Sequence, residues 1–227
     1  MKGSLFVVLG TYGSNRRGIL KHSIIESDSN SKTCFVLPHE LETMDLPSTQ
    51  WNWVNQNFQF KKTEEISEWF LFLSNQFNLA DQMEAVLALL DHEIELNLTR
   101  VLTFINSSAI NSQDAEFKNW LDACAHFSDI MCFTNRQNEN ANQIAEMMDR
   151  YKNMRYPMET IILGSKKNPP IDHLLAPVPL RISHIFDQSD ILEPDDLPDN
   201  DPYLARLPNN QRSKTIPLLP SLGLAHK

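Results

Sequence analysis

Apolar residues along this chain fall into short continuous runs, separated by longer polar stretches with helical spacing. The first run is residues 5–9 (LFVVL). Its lack of in-and-out alternation predicts a strand buried on both faces, as in a parallel sheet. Ile19, Leu20, Ser23 and Ile24 then keep the i, i+1, i+4, i+5 spacing of one helix face. Further strands are predicted at 33–37 (closed by Pro38), 69–73, 101–105 (with Arg100 just before it), 130–133 and 160–163 (ending at Gly164). Helices are predicted from Leu79 through ADQMEAVLALLDHEIEL, over 114–127 with Ser112 as cap, and over 140–151. Residues 39–62 are irregular; Trp51, Trp53, Phe58 and Phe60 fit either an edge hairpin or an aromatic flap. There are no internal repeats. Strands alternating with helices predict an α/β fold: a three-layer, mostly parallel sheet covered on both faces. Right-handed crossovers would gather the C-terminal strand ends, and any ligand, on one edge.

Past Gly164 the pattern stops. Ten of the 13 prolines lie between Pro169 and Pro220, so neither ladder nor helix bonds can run far there. Asp187, Asp190, Glu193, Asp195, Asp196, Asp199 and Asp201 add an acidic stretch that extends the chain by self-repulsion. Apolar anchors nevertheless recur, among them Leu174, Ile185, Ile191, Leu192, Tyr203, Leu204 and Ile216. The expected division is an α/β domain over 1–167 and a Pro-rich acidic arm over 168–227, extended and docked or partly flexible. Within the arm, 174–185 either supplies a strand at 178–182 or docks on the domain. An arm of this kind suits a protein partner or a homo-oligomer.

The formal charge of −9 over 227 residues repels phosphate backbones, which disfavours nucleic-acid binding. No apolar stretch approaches the ~20 residues that span a bilayer. The N-terminal run is too short for a signal-peptide core. Cys34, Cys124 and Cys132 have no CxxC spacing and read as reduced, partly buried thiols. A cytoplasmic protein is the expectation. The histidines show no HxxxH or HExxH spacing, Ser14 and Ser23 lack a nucleophile-elbow context, and Glu84 and His92 read as solvated helix residues. Arg100 reads as half of a structural ion pair.

Candidate chemistry concentrates behind the first strand. Gly10, Gly13 and Gly18, half of the chain's six glycines, crowd the link to the first helix. Strand, glycine loop and helix make the opening of a nucleotide-binding unit. The segment VVLGTYGSNRRGIL resembles the P-loop of CobW-type GTPases, roughly GxxGxGKTTLL. Gly10, Gly13, Ile19 and Leu20 match it. Asn15 stands at the last glycine, Arg16 at the lysine, and Arg17 and Gly18 at the two threonines, with Ser14 inside the loop.

Three later segments follow the same order. SNQFNLADQ resembles ExxGLADP, with Leu79, Ala80 and Asp81 matching, Asn75 at the Glu and Asn78 at the Gly. At the end of 101–105, Asn106 stands where the family tends to show Asp. SDIMCFTNRQ resembles the guanine-recognition segment ADxxxxNKxD, with Asp129 matching, Thr134 tolerated, Asn135 at the Lys and Gln137 at the second Asp. The family's cysteine motif is missing. The resemblance spans residues 5–163 and implies a P-loop fold with ATP, GTP or phosphate as candidate ligands. It also implies lost catalysis: Arg17, Asn75 and Asn106 remove the hydroxyl and carboxylate oxygens that Mg²⁺ prefers, and phosphoryl transfer leans on that metal. The reading is therefore a pseudo-GTPase acting as a binding or assembly subunit; the alternative is a nucleotide- or phosphate-binding protein with weak NTPase activity.

Overall fold

The structure is a computed structural model that describes residues 2–26, 32–39, 41, 46–62, 65–110, 115–164, 171–187, 197 and 199–219. The Ser112 cap, Ile191, Leu192 and the carboxylates Asp190, Glu193, Asp195 and Asp196 lie outside the described residues. Eight strands form one sheet: β1 (Lys2–Gly10), β2 (Thr33–Pro38), β3 (Ser48–Val54), β4 (Asn57–Phe60), β5 (Glu68–Phe72), β6 (Glu95–Asn106), β7 (Ile130–Thr134) and β8 (Glu159–Ile162). Their order is β4-β3-β2-β5-β1-β6-β7-β8. Every neighbouring pair is parallel except β3 with β4.

The helices are α1 (Arg16–Glu26), α2 (Leu79–His92), α3 (Ala115–Phe127), α4 (Ala141–Asn153) and the short α5 (Ile171–Leu175). Successive residues of a strand face opposite sides of the sheet, so each continuous apolar run feeds two cores. Leu5, Val7 and Leu9 of β1 join Met83 of α2, Leu121 of α3 and Ile144 of α4 on one face. Phe6 and Val8 join Ile19 and Leu20 of α1 and Leu174 of α5 on the other. The three expected layers are present.

The aromatic stretch resolves as an edge hairpin, β3 and β4, closed by Asn55 and Gln56 at positive φ. Trp51 is fully buried, its indole N–H donates to the Phe72 carbonyl at 2.9 Å, and Trp53 stacks on Phe77 beyond β5.

Two expected boundaries are corrected. The helix begun at Leu79 ends at His92, and Glu95 and Leu96 already belong to β6. No glycine or proline marks that junction; the switch from helical to period-2 spacing across ELNL marks it instead. Arg100 consequently lies inside β6, nearly inaccessible, and donates to the carbonyls of His173, Leu174 and Val178. It has hydrogen bonds to backbone in place of the expected ion pair, and burial pulls its guanidinium below its ordinary pKa against the charges of Asp129 and Glu159.

Residues 178–182 form no strand. Pro177 and Pro179 remove ladder donors, and the amides of Leu180 and Arg181 donate to the Asp129 carboxylate at 2.6 and 3.1 Å. Arg181 and Asp129 are buried together, Nη1 to Oδ2 at 3.2 Å. Further along, Asp201 is buried against His126 (2.8 Å) and Ser183 (2.6 Å). Ile185, Tyr203, Leu204, Ile216 and Leu219 join the core on the α2–α4 face. Leu207 and Leu218 are exposed. The described parts of the C-terminal region lie against the domain as a short helix and a series of turns, held by two buried carboxylates and a row of apolar anchors.

Candidate functional site

Four parallel strands end side by side on one edge: β5, β1, β6 and β7. The glycine loop leaves β1 at that edge and enters α1 at Arg16. Thr11 continues the sheet, its N–H donating to the Phe104 carbonyl, and its hydroxyl accepts the Asn106 N–H at 2.7 Å. Gly13 has φ +70°, and a Cβ there would come within 2.9 Å of the Asn106 amide. Asn15 takes φ 54°, the left-handed conformation that Asn tolerates better than most residues, so it fills the place of the last loop glycine. Its side chain lies over Gly18, where a Cβ would be only 2.5 Å from its oxygen. The helix then closes with the Ile19 N–H on the Asn15 carbonyl.

Arg16 does not point outward. Its Nη1 donates to the Gly10 carbonyl at 3.1 Å and its Nη2 to the Leu73 carbonyl at 3.0 Å, so the guanidinium bridges the ends of β1 and β5. A forked, planar cation can do this where a lysine's point charge would not.

The asparagines that differ from the resembled motifs converge on the same loop. Asn75 Nδ2 donates to the Gly10 carbonyl (3.1 Å), Asn106 Nδ2 to Tyr12 (3.3 Å) and Asn135 Nδ2 to Gly13 (3.0 Å). Asn135 also donates to Asn106 Oδ1, and Asn140 Nδ2 to the Asn135 carbonyl. Each of these amides donates to a carbonyl or amide oxygen, which a carboxylate could not do. The loop carbonyls are braced by three different strand ends.

Thr134 is buried with its hydroxyl on the Ile105 carbonyl, and the Gln137 N–H donates to Asn140 Oδ1. Gln137 itself is exposed. Asp129, matched by sequence to the base-recognition segment, is instead enclosed by Val101, Leu180 and Arg181.

Beside the loop lies a cavity of about 280 Å³ lined by Thr11–Arg17, Leu41, Asn75 and Gln76. Its two charged residues, Arg16 and Arg17, are both cationic. Mg²⁺ demands oxygen ligands, preferably carboxylates or phosphates. Here the Gly10 oxygen already accepts two donors, and Asn106 Oδ1 accepts from Ser108 and Asn135. These residues do not fit a magnesium ion. Among the described residues, no group of three or more His, Cys, Asp or Glu side chains is placed to hold a metal.

Sequence reasoning located the loop and the replaced positions but not the braces between them. It also missed what holds the segment after β5. Asn78 caps α2 through the Ala80 N–H and donates to the Ile216 carbonyl at 2.9 Å. Asp81 and Glu84 bind Arg212, and Glu84 also binds Arg206, so Glu84 is not merely solvated. The Asn78 cap was readable from its position before a helical run; the rest needed contacts more than 100 residues apart in sequence.

Elsewhere, Ser183, Asp201 and His126 cluster, but both the hydroxyl and the imidazole bind Asp201 Oδ2, so no base faces the serine. Burial pushes the Cys34 thiol up to about 11, which leaves it a poor nucleophile.

The chain matches no protein-family model and no curated protein. Among solved structures it is similar to zinc-bound YjiA GTPase from E. coli, with 7% identity and a TM-score of 0.51 over 85% of this chain and 67% of that one. It is also similar to a zinc-bound triple mutant of YjiA GTPase, with 9% identity and a TM-score of 0.53 over the same shares. At such identity the likeness is one of fold. It agrees with the CobW-type resemblance carried by the loop and the segments that follow it. No described helix is long and apolar enough to cross a membrane.

Proposed function

We propose that this chain is a non-catalytic P-loop-like protein, a binding or assembly subunit whose glycine loop has become a braced, metal-free anion site. The observation that carries this reading is the set of Asn75, Asn106 and Asn135 amides donating to the carbonyls of Gly10, Tyr12 and Gly13. Where the resemblance implies metal-holding carboxylates and a base-flanking lysine, this chain has donors that tie the loop down. A hydrolase of this class depends on Mg²⁺ and on positioned water, and among the described residues no carboxylate lines the cavity to hold either. The β3–β4 aromatics pack on Phe77, and Asn78 is tied to Ile216, which favours a fixed segment after β5 over a switching one.

An anion remains chemically reasonable. Arg16 and Arg17 line the cavity, and α1 begins beside it, so positive charge and backbone N–H groups meet at a helix N-terminus. At about 280 Å³ the cavity falls just below the usual range for small-molecule pockets. It favours phosphate or pyrophosphate over a whole nucleoside triphosphate.

The test is paired. Purified protein with ATP or GTP and Mg²⁺ is expected to release phosphate at background rate, while calorimetry detects pyrophosphate binding that Arg16→Ala/Arg17→Ala abolishes. Turnover on the order of 1 s⁻¹, lost on Arg16→Ala, would overturn the non-catalytic reading.

A further inference from the structure

The C-terminal region and the glycine loop grip opposite ends of one short segment, residues 73–84. At one end, Arg212 reaches from the C-terminal region to α2: Nη2 to Asp81 at 2.6 Å and Nη1 to Glu84 at 2.5 Å. Its side chain is only 12% exposed, so the pair is shielded from solvent on the arginine side. Arg206 adds a second contact to Glu84 at 3.0 Å, and the Ile216 carbonyl accepts from Asn78. Tyr203, Leu204, Ile216 and Leu219 anchor this strap in the core, with Tyr203 against the rings of His126 and Phe127.

At the other end, Leu73 and Asn75 hold the anion loop. Arg16 donates to the Leu73 carbonyl and Asn75 to the Gly10 carbonyl. The stretch between is closed on itself. Gln82, buried, donates to the carbonyls of Ser74 and Phe77 and accepts the Ser74 N–H, all at 2.9–3.0 Å. Asn78 Oδ1 accepts the Ala80 N–H. A displacement at Asp81 is therefore carried to Ser74, and from there to the neighbours that fix Arg16.

We infer that the strap formed by the described residues 199–219 is a latch that holds the anion loop in its binding form, so that strap docking and anion binding favour one another. The inference rests on the anion site proposed above. With the strap docked, Arg16 is fixed between two carbonyls, and Asn75 keeps the Gly10 carbonyl out of the anion's way. With the strap released, the 73–84 segment loses three of its outside ties: Ile216, Arg212 and Arg206. Binding then has to restore order that docking otherwise supplies in advance. Linkage makes the effect reciprocal: an anion that favours the docked form must shift the strap's docking equilibrium toward the docked form by the same factor.

The experiment uses the full chain, with pyrophosphate as probe. The variants are Arg212→Ala, Arg206→Ala/Arg212→Ala, and, as control, Lys32→Ala, which removes an exposed ion pair with Glu65 just ahead of β2 and β5. Calorimetry reads affinity, and amide exchange reads residues 11–17, 74–82 and 199–219. Arg212→Ala is expected to weaken pyrophosphate at least threefold and to speed exchange in all three stretches, with the control unchanged. Saturating pyrophosphate is expected to slow strap exchange in the wild type. Strap exchange that accelerates while affinity and the exchange of 11–17 stay at wild-type values would overturn the latch and leave the anion site standing. A strap that even the double variant does not loosen overturns it as well. If the wild type binds no pyrophosphate, the anion site fails, and the coupling is decided by exchange at 11–17 alone: faster in Arg212→Ala supports it, unchanged refutes it.

Discussion

Replacing Arg181 by alanine removes the cation by which the C-terminal region faces Asp129, the most deeply buried of the described carboxylates. Asp129 has no exposed surface, and Arg181 Nη1 lies 3.3 and 3.2 Å from its two oxygens. Removing one member of a buried pair typically costs about 3–5 kcal/mol, because the other charge is left without compensation. Two features place this case at the lower end. Asp129 keeps three backbone donors, from Val101 at 2.7 Å, Leu180 at 2.6 Å and residue 181 at 3.1 Å. The wild-type guanidinium is itself imperfectly satisfied, since its buried Nε has no hydrogen-bond partner. The expected loss is therefore about 3 kcal/mol, or roughly 6–12 °C in Tm for a chain of this size. Urea denaturation followed by tryptophan fluorescence measures it. Combining Arg181→Ala with Asp129→Asn should recover about 1–2 kcal/mol relative to the sum of the single changes, because the double variant buries no unpaired charge. A single-variant loss below about 0.5 kcal/mol, the level of an ordinary surface change, would refute this reasoning.

Other expectations follow from the same contacts. Gly13→Ala places a Cβ at positive φ and 2.9 Å from the Asn106 amide, and should cost about 1–3 kcal/mol in urea denaturation with loss of pyrophosphate binding. Burial alone would raise the Asp201 carboxyl, but the His126 hydrogen bond and charge, with Ser183 and the Tyr203 N–H, hold it below its ordinary value. A carboxyl depressed in the folded state contributes stability above its unfolded pKa of about 3.9 and loses it as pH falls through the folded value. The acid limb of a stability-against-pH curve should be shallower in Asp201→Asn than in wild type. Guanine should not be preferred over adenine, since Gln137 replaces the paired acceptor. Competition binding should show GTP and ATP within tenfold, about 1.4 kcal/mol, of each other.

Much of the α/β core and the location of the loop follow from the order of residues alone. Continuous apolar runs can be satisfied only between two layers, so 5–9, 69–73 and 101–105 had to lie inside a covered sheet. Three glycines clustered after the first run placed a loop at a strand end. The CobW-type resemblance likewise drew attention to Arg17, Asn75, Asn106 and Gln137, because each differs from the resembled motif in what its side chain can donate or accept. Tertiary structure decided what those residues do instead. Whether an asparagine at the end of β5, β6 or β7 faces solvent or a loop carbonyl depends on strand order and register, which couple positions up to 122 residues apart. The same holds for the aromatic stretch, where periodicity allowed a hairpin or a flap and packing on Phe77 selected the hairpin. Arg16 shows the limit most plainly: sequence gives a cation in a loop, but only the convergence of β1 and β5 supplies the two carbonyls that turn it inward. For the C-terminal region, prolines and carboxylates forecast extension, and the recurring apolar residues forecast docking without saying where. The groove that receives Tyr203 and Ile216, and the buried Asp129 that fastens Arg181, exist only once α2, α3 and α4 have closed over the sheet.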